Sequence, residues 1–181
     1  MADLTTLAKV KEWLGETTTN NDSVLQRLIS ASSDYIQAWL NRDIAQATYN
    51  SSRDGNSGNR MMFRNYPTTA VSMVKIDNQV IPLSVNGSYG YVFNETSVAL
   101  IGYRFTRGIQ NVFLSYTAGY TSTPNEIEQA CIEMVSLRFK EKSRIGVTSK
   151  SMAGETISFS QKDMTDSIES TLSQYKRVMI P

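Results

Sequence analysis

The chain has 181 residues, of which 40% are hydrophobic and 19% charged, with Lys+Arg 18 against Asp+Glu 17 and a formal net charge of +1. That length suits one domain, or one domain with arms, and near-neutrality removes any global reason to expect nucleic acid or a membrane as partner, although a local patch can sit inside a neutral total. With no histidine the chain lacks the commonest general base and metal ligand, and its single cysteine, Cys131, excludes an intramolecular disulfide and suits a reducing compartment.

The opening MADLTTLAKVKEWLG lacks the cationic start and apolar core of a signal peptide, and no stretch approaches the ~20 apolar residues of a membrane span. Three Asn-x-Ser/Thr triplets, at Asn50, Asn86 and Asn94, carry no weight without a secretory route. Synthesis in a cytosol is the expectation. A first helix is predicted over 5–14. Thr5 or Thr6 caps it, Leu7, Val10, Trp13 and Leu14 share a side, and Gly15 closes it. A second helix over 22–41 puts Val24, Leu25, Leu28, Ile29, Tyr35, Ile36, Trp39 and Leu40 on one broad face. Gln26, Arg27, Ser30, Asp34, Gln37 and Asn41 fall on the other.

A β region is predicted over 45–117. Residues 47–49 read as a short strand and 50–59, rich in Ser, Asn, Asp and Gly, as a flexible loop. Residues 60–64 form a candidate strand. Residues 70–76 and 79–83 form a hairpin about Asp77-Asn78, 84–90 form a turn, and 91–93, 98–103 and 110–117 supply further strands. In the last, Val112, Leu114 and Tyr116 alternate with Phe113, Ser115 and Thr117, as in a half-buried strand.

Thr123-Pro124-Asn125-Glu126 then fits a helix start, with threonine at N-cap, proline at the first helical position and glutamate at N3 to close a capping box. The helix is predicted over 124–142, with Ile127, Ala130, Cys131, Met134, Val135 and Leu137 on one face. Ile132 and Phe139 lie roughly 120–140° away by the 3.6-residue period, so they meet either an overhanging loop or a neighbouring subunit. Lys140, Lys142 and Arg144 gather at its end. They read either as solvated cations complementing the helix dipole or, together with Lys150, as a basic rim facing DNA. Residues 146–154 are loop-like, with Ile145, Val147 and Met152 as candidate contacts to a neighbour, and 155–160 alternate as a short strand. Asp163 or Thr165 caps a last helix over 165–177 that aligns Ile168, Leu172, Tyr175 and Met179. The chain ends on the apolar Val178-Met179-Ile180-Pro181, a tip suited to docking.

Motifs for phosphate binding, dinucleotide binding, zinc proteolysis, thiol redox chemistry and the nucleophile elbow are all missing. A Ser–Lys hydrolase built on Ser149-Lys150-Ser151 is a remote alternative, because neighbours in a loop do not by themselves make an activated nucleophile. Cys131 sits on the apolar helix face, as a small hydrophobe would. No catalytic, cofactor or metal site is expected.

Two segments carry a resemblance. LTTLAKVKEWLG followed by NDSVLQRLISASSDYIQAWLNR resembles the start of the head–tail connector (adaptor, or head-completion) proteins of long-tailed phages. LSYTAGYTSTPNEIEQACIEMVSLRFKEKSRIGVTSKSMAGETISFS resembles their second half, through the SYTAGY turn, the PNEIEQA helix start and the RIGV-loop-GETISFS segment. Residues 45–110 match only in pattern. The resemblance implies an α+β, mainly α fold: a bundle of about four helices with a small antiparallel sheet in the middle of a single connector domain and a C-terminal helix and tail. It further implies a homo-oligomeric ring, expected to be twelvefold, under the portal protein at the DNA-exit vertex. That ring would extend the DNA channel, touch the genome non-specifically, help retain it, and present a platform to a downstream neck or tail protein. Portal contact then falls on Tyr175, Val178, Met179, Ile180 and Pro181, and an adaptable loop on 144–154. The long 50–59 loop and the lack of positive excess depart from the pattern. Another neck or tail-completion protein, such as a tail terminator, is the alternative.

Overall fold

The computed structural model describes residues 2–142, 149–152, 155–158 and 164–177. In chain order they form α1 (Leu7–Leu14), α2 (Asp22–Leu40), β1 (Ala47–Gly55), β2 (Arg60–Met62), β3 (Thr68–Ile76), β4 (Gln79–Ile81) and β5 (Gly90–Phe93). Then come β6 (Ser97–Ile101), β7 (Gly108–Ala118), α3 (Asn125–Glu141), β8 (Ser149–Met152), β9 (Glu155–Ser158) and α4 (Asp166–Ser173). The chain makes two compact units, one from Met1–Arg42 with Thr123–Pro181 and one from Asp43–Ser122.

In the helical unit, Thr6 caps α1 by accepting the Lys9 N–H, and the Gly15 N–H closes the helix on the Glu12 carbonyl. Helix α2 buries Leu25, Ile29, Ile36 and Leu40 completely, as its period requires. Gln37, expected on the polar face, is buried instead. Its amide donates to the Ala2 carbonyl at 3.1 Å and the Ser33 carbonyl at 3.3 Å, and Ser33 Oγ accepts the Leu4 N–H at 2.9 Å. The extended N-terminal segment lies along this flank and makes it interior, and hydrogen bonds make the burial of its polar groups tolerable.

Helix α3 starts one residue later than expected, at Asn125, with Pro124 at N-cap and no side-chain cap. The capping box is therefore not made: Thr123 lies outside the helix, and Glu126 accepts a hydrogen bond from the Tyr175 hydroxyl at 2.6 Å instead. Of the predicted stripe, Ile127, Ala130, Cys131, Met134 and Val135 are buried and Leu137 is half-buried, and α1, α2 and α4 all pack on this helix. Thr165 caps α4 by accepting the Ile168 N–H. Part of the stretch read as a loop over 146–154 is strand β8, which pairs antiparallel with β9 from Ser149↔Ser158 to Met152↔Glu155. Its Ser/Lys composition has weak β propensity, and a partner strand close by in the chain overrides that.

In the β unit, one sheet runs β1-β7-β3-β4 and the other β2-β6-β5, with neighbouring strands antiparallel in both. Val74, Ile76, Val112, Leu114 and Tyr116 of the first share a core with Met61, Tyr91, Val98 and Leu100 of the second. Each fully buried aliphatic side chain contributes about 1.5–3 kcal/mol. The Asp77-Asn78 hairpin forms as predicted, with φ of 49° and 66° and Ile76 paired to Gln79. These are the positive values of the hairpin turn that matches strand twist. The expected loop over 50–59 is mostly strand: β1 pairs with β7 from Ala47↔Ala118 to Arg53↔Val112. Its residues are poor strand formers, but β1 is an edge strand with one side free of the ladder, where polar side chains are tolerated.

The mainly α helical bundle is thus corrected to a balanced α+β fold. Among the described residues, strands hold as many residues as helices. The expectation undercounted strand because β1 and β8 are held by pairing rather than by apolar alternation.

One polar knot fixes the end of β1. A Cβ on Gly55 would lie 1.6 Å from the Thr106 carbonyl oxygen. Asn111 accepts the Gly55 N–H at 2.9 Å and donates to the Thr106 carbonyl at 2.9 Å and to Asp77 at 3.0 Å. The Thr106 hydroxyl donates to the Asp77 carboxylate. This bond, followed by that from Asn111, holds the Asp77 carboxyl below its ordinary pKa. Gly55→Ala is expected to lower the unfolding free energy by at least about 2 kcal/mol in urea titration, since backbone must move. Because the folded Asp77 pKa is depressed, its contribution is present above the ordinary carboxylate range and is lost as pH falls through the folded value. Urea midpoints taken from neutral to strongly acidic pH should therefore drop less steeply for Asp77→Asn than for wild type.

Candidate assembly surfaces

Helix α3 places the expected interface residues differently from each other. Ile132 is only 6% exposed and lines a depression of about 500 Å³ together with Lys9, Glu12 and Trp13 of α1 and Glu128 and Gln129 of α3. Much of its apolar surface is already covered within the chain. The Lys9 ammonium grips both Glu128 carboxylate oxygens at 2.7 Å beside it. Phe139 is half-buried and carries the Lys142 ammonium 4.2 Å above its ring centroid. Lys140 and Lys142 are both exposed. Arg144, Ile145 and Val147 lie outside the described residues, while Lys150 and Met152 fall on β8.

The C-terminal candidates divide in the same way. Tyr175 is half-buried and bonded to Glu126, and the Arg177 N–H donates to the Leu40 carbonyl at 3.0 Å. Lys176 Nζ sits 4.1 Å above the Trp39 ring. The chain is thus tied down on α2 and α3 as far as residue 177. Val178, Met179, Ile180 and Pro181 lie outside the described residues.

The structure also exposes apolar surface that the periodicity gave no reason to expect. Trp13, expected on the buried side of α1, is 54% exposed. An eight-residue helix offers about two turns, and Val10 is its only buried residue. In the β unit, Val80, Leu83, Val85, Tyr89 and Val92 are all exposed, within a segment read simply as strands and a turn. A signal was available, since residues 78–94 contain no charged side chain. This patch has a fixed shape. The turn after Val85 is closed by the Ser88 N–H donating to the Val85 carbonyl at 3.0 Å, with Asn86 and Gly87 at φ 52° and 80°. Tyr89 is 73% exposed, yet its ring rests on Gly102, where a Cβ would lie 2.4 Å from the ring, and meets the Tyr103 ring edge-on at 6.4 Å.

Among the described residues no group of three or more His, Cys, Asp or Glu is placed to hold a metal, and no helix is long and apolar enough to cross a membrane. Burial pushes the Cys131 thiol up to about 11, against the low pKa of a reactive cysteine.

A sequence model of the family described as "Head completion protein" matches residues 3–178. No curated protein matches the chain. Among solved structures, it is similar to a protein in the neck of an empty gene transfer agent (GTA) particle computed with C6 symmetry, at 14% identity and TM-score 0.60, covering 97% of this chain and 90% of that one. A protein in the neck of the native particle computed with C12 symmetry gives 10% identity and TM-score 0.59 over the same shares. One in the virion of the native particle gives 13% and 0.59, again over 97% and 90%. At such identities these likenesses establish the fold.

Tyr175→Phe is expected to cost about 1 kcal/mol, the worth of one hydrogen bond near the surface, read from thermal melts or urea midpoints. Cys131 in the folded protein should resist iodoacetamide at pH 8 and react fully once urea unfolds the chain, as followed by mass spectrometry.

Proposed function

This chain belongs to the head completion protein family, and from that premise we propose that it is a structural head–tail connector of a tailed phage or phage-like particle, assembled as a ring at the DNA-exit vertex. The observation that carries this is the family match over residues 3–178, nearly the whole chain. The ring is supported by the neck assemblies in which similarly folded proteins sit, computed with C6 and C12 symmetry; of the two, a twelvefold ring is the one proposed. A family of structural virion proteins gives a Ser–Lys hydrolase no support.

In this reading the ring sits beneath the portal protein, extends the channel, helps retain packaged DNA and offers its far side to the next neck or tail protein. The portal contact is assigned to the end of the chain beyond Tyr175, whose own hydroxyl is engaged by Glu126 and serves to anchor the C-terminal residues. Lys140 and Lys142 are exposed and suit loose, sequence-independent contact with DNA backbone. The protein is made in the host bacterial cytoplasm and ends in the virion.

Deleting the gene should yield heads that fill but neither keep DNA nor accept tails, with purified protein restoring both in a mixed extract. Imaging should place it as a ring at the vertex. Overlong tails on normal, DNA-filled heads would instead identify a tail terminator.

A further inference from the structure

Building on the ring reading, we infer that neighbouring copies join head-to-tail through two surfaces: the Tyr89 patch of the β unit on one copy and the Trp13–Ile132 depression of the helical unit on the next. Closed rings need two different complementary patches on every chain. Each unit supplies one. Trp13 is the one large exposed hydrophobic in the helical unit among the described residues; in the β unit Met62 and Ile109 are exposed singly, and the other exposed large apolar side chains all fall within residues 80–93.

The patch has the marks of a protein contact. Val80, Leu83, Val85 and Tyr89 are each more than half exposed, and exposed apolar surface of this kind marks an interaction site when it is grouped on a monomer. The absence of charge over 78–94 argues against DNA as its occupant, because a polyanion is held by cations. Charge depletion with an aromatic at the centre is what interface cores show. Tyr89 is fixed in advance by Gly102 and Tyr103, so docking costs little side-chain entropy.

The depression offers the complement. Trp13 gives it an exposed apolar wall with the edge of Ile132 beneath, and Lys9, Glu12, Asn125, Glu128 and Gln129 make the rest of its lining polar. A tyrosine fits both, ring to the Trp13 wall and hydroxyl to the Glu12 carboxylate. The strength of such a contact rests on a few aromatic anchors, and here these are Tyr89 and Trp13.

The test is native mass spectrometry of the full chain over rising concentration, with Tyr89→Asp and Trp13→Asp prepared separately. Val85→Asp and Trp13→Ala serve if either fails to keep the wild-type circular dichroism and melting temperature. Wild type should form rings, and each variant alone should remain monomeric, with association weakened at least tenfold. Mixed in equal amounts, Tyr89→Asp and Trp13→Asp should give one-to-one dimers and nothing larger, since one intact patch then meets one intact depression. Rings that persist in the single variants, or a mixture that stays monomeric while wild type assembles, would overturn the contact and leave the connector reading standing. Wild type that never self-associates, alone or on heads lacking a neck, would overturn both.

Discussion

Helix α3 has to bury apolar side chains around most of its circumference, and the helical unit is arranged to let it. Ile127, Cys131, Met134 and Val135 form one stripe and Ile132 points elsewhere, yet all five are buried. A helix apolar on more than one side is stable in water only if other elements cover each side. The α1, α2 and α4 packing on α3 does that. Because those helices come from both ends of the chain, Met1–Arg42 and Thr123–Pro181 fold as one unit, with the β unit inserted in the chain between them.

The same constraint explains which polar groups went inside. The N-terminal segment closes the flank of α2, so Gln37 and Ser33 become interior and must be bonded. The Lys9–Glu128 pair ties α1 to α3, with Lys9 about half exposed and Glu128 largely covered. It adds modestly to stability, as half-solvated pairs do, but sets where α1 lies. That placement leaves Trp13 uncovered beside Ile132. The apolar surplus of α3 was thus a sign of intramolecular packing.

The β unit rests on a different balance. Its two sheets share one apolar core, while its outer features depend on polar and backbone fits: the Asn111 knot, the close approach at Gly55 and the Tyr89 ring on Gly102. Exposed apolar residues held rigidly in this way are costly in a lone molecule and useful in an assembly. Family membership supplies the setting in which they make sense.

Periodicity and local chemistry were enough to determine much of this molecule. The α2 stripe, the Val112/Leu114/Tyr116 alternation and the Asp77-Asn78 turn are all written in a few adjacent residues, where the physics is local. So were the helix starts at Thr5 or Thr6 and at Asp163 or Thr165, between which the structure chose Thr6 and Thr165. The LSYTAGYTSTPNEIEQACIEMVSLRFKEKSRIGVTSKSMAGETISFS stretch and the opening helices carried the family. Tertiary structure alone decided the rest. Polar β1 became a strand because β7 lay beside it, and Gln37 became interior because the N-terminus crossed it. Thr123 lost its capping role because α3 started a residue later, with Glu126 bonded to Tyr175. Trp13 and Tyr89 were left in solvent, since burial depends on what else reaches a side chain, and that is a property of the whole chain.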